Sequence, residues 1–139
     1  MGRLLGIDYG LKRTGIAVTD PLRIISTPLE TVETSGLMPY LQSYLEREPV
    51  DAFVVGMPKT VNNEDSSIAP QVRSFVSALA AKFPAVHIHL VDERFTTTIA
   101  RQAQIEGGMR KKDRRNKFNL DKISAAIILQ GFLDSRPRM

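Results

Sequence analysis

The sequence predicts an α/β fold in which a mixed five-stranded sheet is flanked by helices. Three β-rich segments joined by tight turns come first, and two short apolar strands then alternate with helical segments. The first pattern is typical of antiparallel strands, and the second of parallel strands buried between helices. The chain has 139 residues, of which 42% are hydrophobic and 24% are charged. We therefore expect one globular domain over residues 1–139.

The first three strands are predicted from β-rich runs and from the turn residues between them. Arg3–Tyr9 and Thr14–Thr19 are expected to pair as a hairpin that turns at Gly10–Arg13. Ile24–Val32 is the third predicted strand. We place it at an edge of the sheet because Pro28 cannot donate a hydrogen bond to a neighbouring strand.

After these strands the hydrophobic residues recur at helical spacing. Apolar positions within residues 37–45 and 72–80 predict two helices, which Pro49 and Pro84 end. Each helix is followed by a short apolar run that is typical of a buried parallel strand. These two runs are Ala52–Gly56 and Val86–Val91, and two further helices are predicted over Thr96–Glu106 and from about Asn119 to Asp134.

Several classes of protein are excluded or disfavoured by what the sequence lacks. The chain has no cysteine, which excludes a Cys nucleophile, a Cys-ligated zinc ion and an iron–sulfur cluster. No apolar run approaches the roughly 18 residues that span a bilayer. Asp8 interrupts the N-terminal apolar stretch too early for a signal peptide. We therefore expect a cytoplasmic protein with no membrane partner.

The positive charge of the chain is concentrated in one stretch, residues 110–117, which we call the basic segment. The whole chain carries a net charge of +4, and the basic segment alone contains six basic residues and one acidic residue. A solvated loop explains such a run, and so does a segment that binds a polyanion such as nucleic acid. Its candidate nucleic-acid-binding residues are Arg110, Lys111, Lys112, Arg114, Arg115 and Lys117.

Three carboxylates occupy positions that a structural role explains only in part. Asp8 ends the first strand, Glu93 follows the strand Val86–Val91, and Asp121 opens the last helix on the stripe that faces the sheet. Turn formation is the alternative explanation for Asp8, and the helix dipole is the alternative for Asp121. The helix dipole is also the alternative explanation for the pair Asp92 and Glu93. Glu93 is the better candidate of the two because its longer side chain reaches further inward.

Converging carboxylates repel one another unless a cation lies between them. With no His or Cys at these positions, the ions that fit are Mg²⁺ or Mn²⁺, which prefer oxygen ligands and keep open water positions. Such sites hydrolyse phosphodiester bonds with two metal ions about 3.5–4 Å apart, which activate water and stabilise the leaving oxygen. The acids therefore predict a metal-dependent nuclease.

Motifs along the whole chain resemble those of the YqgF family. That family is similar to the RuvC Holliday junction resolvases and has the RNase H-like fold. Its members are described as resolvases and as nucleases that mature the 5′ end of bacterial pre-16S ribosomal RNA. The resemblance implies that Asp8, Glu93 and Asp121 are the metal-binding catalytic acids. The motifs are Gly6-Ile7-Asp8-Tyr9-Gly10, Arg13-Thr14-Gly15-Ile16-Ala17, Val55-Gly56-Met57-Pro58, Asp92-Glu93-Arg94-Phe95-Thr96-Thr97, and Asp121 followed by Ala125-Ala126-Ile127-Ile128-Leu129.

Two positions depart from the family pattern. The resolvases carry a further acid one helical turn after the last motif aspartate, and this chain has Ser124 there. YqgF proteins tend to have a glycine in the loop after Pro58, where this chain has Asn62-Asn63-Glu64. The first departure weakens the resolvase interpretation and leaves a site of three acids.

Three basic residues near these motifs are candidate phosphate ligands. They are Arg13, Lys59 and Arg94, and a solvated surface charge is the alternative for each. Gly10 and Gly15 bracket the predicted turn beside Asp8. Turn geometry explains both glycines, and their lack of a side chain would also let a nucleic-acid backbone approach the metal ions.

The histidines and aromatic residues give weaker signals. His87 and His89 share one face of a strand, and we interpret them as structural or partly exposed because no third metal ligand has matching spacing. Tyr9, Phe95 and Phe118 are scattered along the chain, so no aromatic platform for bases is predicted.

The leading functional hypothesis is a metal-dependent endonuclease that processes the 5′ end of pre-16S ribosomal RNA. Its expected cofactor is Mg²⁺ or Mn²⁺, and its expected state is a monomer or a weak homodimer. The alternatives are a Holliday junction resolvase, a non-catalytic nucleic-acid or transcription-associated module, and a nucleotide-binding protein. Retention of all three acids disfavours the second alternative. The third needs two such domains, and 139 residues hold one.

Overall fold

A computed structural model describes residues 2–57, 68–92 and 117–135 of the chain. In these ranges five strands form one mixed sheet of order β3-β2-β1-β4-β5, with helices on both faces. The predicted fold class is confirmed. The strands are β1 (Arg3–Asp8), β2 (Arg13–Thr19), β3 (Ser26–Glu33), β4 (Val50–Met57) and β5 (His87–Asp92), and the helices are α1 (Leu37–Arg47), α2 (Ala69–Lys82) and α3 (Lys117–Ser135).

The pairing of the strands determines where they end. Strands β1, β2 and β3 pair antiparallel, whereas β4 pairs parallel with both β1 and β5. The edge position predicted for β3 is confirmed. Strands β1, β4 and β5 therefore end along the same side of the sheet, at Asp8, Met57 and Asp92. We call this side the carboxyl edge, and ligands of open α/β sheets bind outside such edges.

The two faces of the sheet pack against different helices. One face packs against α1 and α2 and buries the larger side chains, whereas the other packs against α3 and buries mainly small and branched residues. Successive residues of each strand alternate between these faces, as the pleat requires. The first core includes Ile7, Ile16, Phe53, Leu41 and Leu79, and the second includes Leu4, Ala17, Val54, Ala125 and Leu129.

Helix α3 lies unusually close to the sheet because it crosses over two glycines. A Cβ atom added to Gly6 would lie 2.9 Å from the carbonyl oxygen of Ala125 and 2.8 Å from Cβ of Leu129. A Cβ atom added to Gly15 would overlap the backbone carbonyl of Asp121. Any side chain at Gly15 would therefore force the start of α3 away from the sheet.

The turn role predicted for Gly15 is not its main role in the structure. The residue lies inside β2, in agreement with the predicted strand Thr14–Thr19, and the turn comprises residues 9–12. Its empty side-chain position is filled by the backbone of Asp121 and is therefore not open to a nucleic-acid backbone. A glycine inside a strand often marks such a close backbone approach.

Hydrogen bonds to the edge strand also hold α3 in place. The hydroxyl of Ser26 donates to the carbonyl oxygen of Ala126 at 2.8 Å. The backbone N–H of Ser26 donates to Oε1 of Gln130 at 3.0 Å. Further along the helix, the ring of Phe132 lies 4.8 Å from the ring of His89 on β5. Helix α3 is therefore attached to both edge strands as well as to the middle of the sheet.

Several predicted features lie outside the described residues. They are the helix over Thr96–Glu106, the basic segment before Lys117, and the candidate residues Lys59, Glu93 and Arg94. Lys117 is described as the first residue of α3. None of the helices in the described ranges is long and apolar enough to cross a membrane.

The packing at Gly15 predicts the effect of one methyl group. We expect Gly15→Ala to lower the free energy of unfolding by about 1–3 kcal/mol, the usual cost of overpacking a well-packed contact. The matched control is Gly131→Ala, because a Cβ atom at Gly131 of α3 meets nothing within 4 Å. In a helix this control should be neutral or stabilising by up to about 1 kcal/mol. Urea unfolding measures the stability of both variants. Equal stability would contradict the close contact at Gly15.

Candidate active site

Asp8 lies at the carboxyl edge, on the face of the sheet that packs against α3. It is the last residue of β1 and is half-buried. Because side chains alternate along a strand, Asp8 shares the face of Gly6, which contacts α3, while Ile7 is buried in the opposite core. In the pairing of β1 with β2, Asp8 stands opposite Gly15.

Asp121 reaches the same place from the other end of the chain. It lies in the first turns of α3, and its backbone carbonyl rests on Gly15, the residue opposite Asp8. Its side chain is 27% exposed, so that it is neither free in solvent nor enclosed in the core. Gly15 therefore brings together two of the three predicted acids, which are 113 positions apart in the sequence.

Arg13 places a positive charge beside these acids. It is the first residue of β2, and its Nε donates to Oδ2 of Asp121 at 3.2 Å. Its side chain is 28% exposed, so the ion pair is partly shielded from water. Such a pair contributes at most about 1 kcal/mol to stability. Its main consequence is electrostatic, because the guanidinium partly offsets the negative charge of Asp121.

The turn between β1 and β2 is fixed to the segment that precedes α1. The hydroxyl of Thr34 lies 2.6 Å from the carbonyl oxygen of Gly10 and donates to it. The same hydroxyl lies 2.9 Å from the hydroxyl of Thr14 and accepts from it, because its own hydrogen is already used. The backbone N–H of Thr34 donates to the carbonyl oxygen of Lys12 at 2.9 Å. The position of Arg13 is thus set by a turn with several anchors.

The donor set at the carboxyl edge fits a hard divalent cation. Asp8 and Asp121 offer carboxylate oxygens on the same face of the sheet, and such oxygens are the ligands that Mg²⁺ and Mn²⁺ prefer. Over residues 2–57, 68–92 and 117–135, no three acids or histidines form a ready metal cluster. The third predicted acid, Glu93, lies outside these residues and directly follows Asp92, which ends β5 at the same edge.

Ser124 occupies the helical turn after Asp121 and is 5% exposed. A carboxylate at this buried position would need a cation or a hydrogen-bond partner to offset the loss of hydration. Serine carries no charge and needs no such partner. We call Asp8 and Asp121 the acid pair. The turn of α3 after Asp121 therefore adds no carboxylate to this pair.

The histidines lie away from the acids. His87 begins β5 and is exposed, whereas the carboxyl edge is at the other end of that strand. His89 is half-buried, and its ring packs against that of Phe132. The packing of His89 agrees with the structural role predicted for it.

An aromatic pair that no sequence pattern indicated lies next to the acids. Tyr9 follows Asp8, and its ring stacks on that of Phe75 in α2, with centroids 4.8 Å apart and an interplanar angle of 24°. Both rings line a cavity of about 450 Å³ between α1 and α2. The helical spacing of Phe75 predicted a core position, but no local pattern indicated its contact with Tyr9.

Comparison with known proteins identifies close relatives by sequence. A protein of Amoebophilus asiaticus is 49% identical over 138 residues, which cover 99% of this chain and 98% of the relative. A protein of Porphyromonas gingivalis is 49% identical over 138 residues, which cover 99% of this chain and all of the relative. Both carry the name "Putative pre-16S rRNA nuclease".

Solved structures share the fold at much lower sequence identity. RuvC of T. thermophilus, solved in complex with a Holliday junction substrate, matches with a TM-score of 0.55, 18% identity and 92% coverage of both chains. The Holliday junction resolvase of fowlpox virus matches with a TM-score of 0.56 and 12% identity, over 96% of this chain and 99% of that one. These matches confirm the RuvC-like, RNase H-like fold.

A family model also matches nearly the whole chain. The model of the RuvX family, described as Holliday junction resolvase, matches residues 2–135. This family is the one that the sequence motifs resemble under the name YqgF. Because the match spans nearly the whole chain and the relatives are about half identical to it, the chain belongs to the RuvX family.

Proposed function

We propose that the protein is a metal-dependent endonuclease that hydrolyses phosphodiester bonds of structured RNA, with the 5′ end of pre-16S ribosomal RNA as its substrate. The observation that carries this proposal is the placement of Asp8 and Asp121 around Gly15 at the carboxyl edge. The names of the full-length relatives support RNA as the substrate class. Such processing would take place in the cytoplasm, on nascent ribosomal RNA.

In the proposed site, Asp8, Glu93 and Asp121 hold Mg²⁺ or Mn²⁺ through their carboxylate oxygens. The bound ions would supply an activated water and charge stabilisation at the leaving oxygen, and the products would carry 3′-hydroxyl and 5′-phosphate ends. The protein's own contribution is the rigid position of the acids. Asp8 is fixed by strand pairing and Asp121 by the contact of its backbone with Gly15.

Arg13 is the proposed ligand of the phosphate next to the cleaved bond. A guanidinium forms paired hydrogen bonds with phosphate oxygens as well as with carboxylates. Its ion pair with Asp121 already places Arg13 at the acids. A cation held by the acids would offset the charge of Asp121, and Arg13 would then be available to a phosphate. Lys59 and Arg94 are further proposed phosphate ligands on the basis of their motifs alone.

The basic segment is proposed to bind the RNA on either side of the cleavage point. Its last residue, Lys117, is the first residue of α3, and Asp121 follows four residues later in the same helix. Arginine and lysine residues neutralise phosphates and release counterions, which strengthens binding without reading the base sequence.

The chain is proposed to act as a monomer or a weak homodimer.

Cleavage of Holliday junctions is the second candidate function. The description of the family favours it, and the fold matches RuvC solved with such a junction. The uncharged Ser124 favours the first candidate, because the resolvases that the chain resembles have an acid at this turn of the helix. Both functions require the same acids, so cleavage of ribosomal RNA precursor and of a four-way DNA junction, each with and without Mn²⁺, separates them.

Removal of one carboxylate tests the catalytic role of the acids. We expect Asp8→Asn to abolish cleavage of a pre-16S ribosomal RNA fragment in Mg²⁺ or Mn²⁺, because the metal loses one of its ligands. The variant should fold, and its melting temperature without metal should hold or rise because charge repulsion falls. Gel analysis of the RNA and a thermal melt measure the two effects.

The matched control for this prediction is Asp134→Asn. Asp134 is exposed near the end of α3, where it accepts a hydrogen bond from Gln130 within the same helix. The same chemical change at this position should leave cleavage unaffected. If Asp8→Asn unfolds the protein, or cleaves as fast as Asp134→Asn, Asp8 is not a catalytic acid.

Metal binding should stabilise the folded protein, because only the folded chain brings the acids together. At an ion concentration ten times the dissociation constant, the free energy of unfolding should increase by about 1.4 kcal/mol. The melting temperature of the wild type should then rise by roughly 3–6 °C on addition of Mn²⁺. The increase should shrink in Glu93→Gln and in Asp121→Asn, whereas Asp134→Asn should retain it. Equal increases in all four proteins would exclude a shared metal site.

The basic segment should determine the salt dependence of RNA binding. We expect the simultaneous change of Lys111, Lys112, Arg114 and Arg115 to alanine to weaken binding and to reduce the slope of log K against log[salt] by up to about 3. Stability should hardly change, because residues 110–117 contain no apolar side chain. Binding titrations at several salt concentrations measure the slope. An unchanged affinity and slope would show that the segment is only a solvated loop.

A further inference from the structure

A groove opens at the carboxyl edge on the face of the sheet opposite the acids. It encloses about 450 Å³, a volume within the range of small-ligand pockets. Its walls are the first turns of α1 and α2, and both helices begin at this edge. The residues that line the groove include Tyr9, Met38, Gln71, Ser74, Phe75 and Ala78.

Tyr9 connects the groove to the acid pair. It is the residue after Asp8, so the Cα atoms of the two lie about 3.8 Å apart. Because their side chains leave opposite faces of the strand, Asp8 faces α3 while Tyr9 packs into the core beneath α1 and α2. A polynucleotide bound at Asp8 would therefore have its neighbouring nucleotides at the rim of the groove.

The lining of the groove suits a flat heteroaromatic ring. Tyr9 and Phe75, which stack on each other, contribute aromatic surface to its lining, and Met38 and Ala78 add aliphatic surface. The side chains of Gln71 and Ser74 on the exposed side of α2 bring polar atoms to the rim. An apolar cleft with a few polar groups is the usual composition of a site for a planar, partly polar ligand.

Contacts within the protein hold the walls of the groove in place. Phe75 is 7% exposed and belongs to the core. The turn that carries Tyr9 is held by the hydrogen bonds of Thr34 with Gly10 and Lys12. Because these side chains are already held in place, a bound ligand would cost them little conformational entropy.

We propose that this groove binds an unpaired nucleobase of the RNA substrate, next to the phosphate held at the acids. This inference rests on the proposed nuclease function. A base within a duplex is covered by its neighbours and cannot enter, whereas an unpaired base can turn outward and stack on an aromatic side chain. The groove would thus direct the acids to a phosphate beside an unpaired nucleotide, without reading a longer sequence.

Two labelled RNA hairpins test the inference. They are identical except that one carries a single unpaired adenosine in its stem, and all proteins carry Asp8→Asn so that binding is measured without cleavage. Fluorescence anisotropy in Mg²⁺ gives the dissociation constant of each hairpin. The parent protein should bind the hairpin with the unpaired adenosine about tenfold more tightly, the size of one base–aromatic stack.

Two tryptophan substitutions on α2 provide the decisive comparison. Ser74 and Ser77 are both exposed on this helix, but only Ser74 lines the groove. Ser74→Trp fills the groove and should reduce the tenfold preference to twofold or less. Ser77→Trp should leave the preference intact. A second groove variant, Tyr9→Leu, keeps an apolar side chain in the core and should also reduce the preference.

Three outcomes would overturn the inference. They are a parent protein with no preference, an equal preference in Ser74→Trp and Ser77→Trp, and an equal loss of affinity for both hairpins in Ser74→Trp. The second outcome would show that the unpaired base binds outside the groove, and the third would show that the groove contacts the RNA backbone and not the base. Failure of the proposed function is a separate result: the wild type would cleave no RNA while the preference still followed the groove.

Discussion

The contact between the backbone of α3 and two glycines of the sheet is the constraint on which the rest of the structure depends. Gly6 and Gly15 leave room for Ala125, Leu129 and Asp121 at distances that a side chain would forbid. Because β1 and β2 pair with Asp8 opposite Gly15, this packing contact also sets the position of the acids. The fold and the candidate active site therefore share one requirement, and a change that lifts α3 from the sheet would separate Asp121 from Asp8.

Two consecutive residues at the end of β1 point to opposite faces of the sheet. Asp8 is directed to the α3 face, where Arg13 and Asp121 form a partly buried ion pair, and Tyr9 is directed to the groove beside α2. Strand geometry alone produces this division, because consecutive residues alternate in direction. The same turn is anchored through Thr34 to the start of α1. One short segment thus positions the proposed cleavage chemistry and the proposed base-binding groove relative to each other.

Much of this architecture follows from local sequence patterns, and the contacts that complete it do not. The β-rich and short apolar runs, with the turn residues between them, predicted the strands, and the helical spacing of apolar residues predicted the helices. Pro28 predicted the edge position of β3. The inward stripe of α3 placed Asp121 near the sheet. The ion pair of Arg13 with Asp121 joins residues 108 positions apart, and no periodicity encodes such a pairing. Gly15 was interpreted as a turn residue, although its place within a strand signals close backbone approach. The stack of Tyr9 on Phe75 depends on how α2 packs, which local patterns do not determine.

The central claim is that Asp8 and Asp121 hold the same cation, and a double-mutant cycle of Mn²⁺ affinity tests it most directly. Isothermal titration would give the affinity of the wild type, Asp8→Asn, Asp121→Asn and the double variant. If the two carboxylates bind one ion cluster, each single change removes most of the binding free energy and the double variant is hardly weaker than either. If the losses of Mn²⁺ binding free energy in the two single variants add up to the loss in the double variant, the two acids act at independent sites. That result would contradict the account.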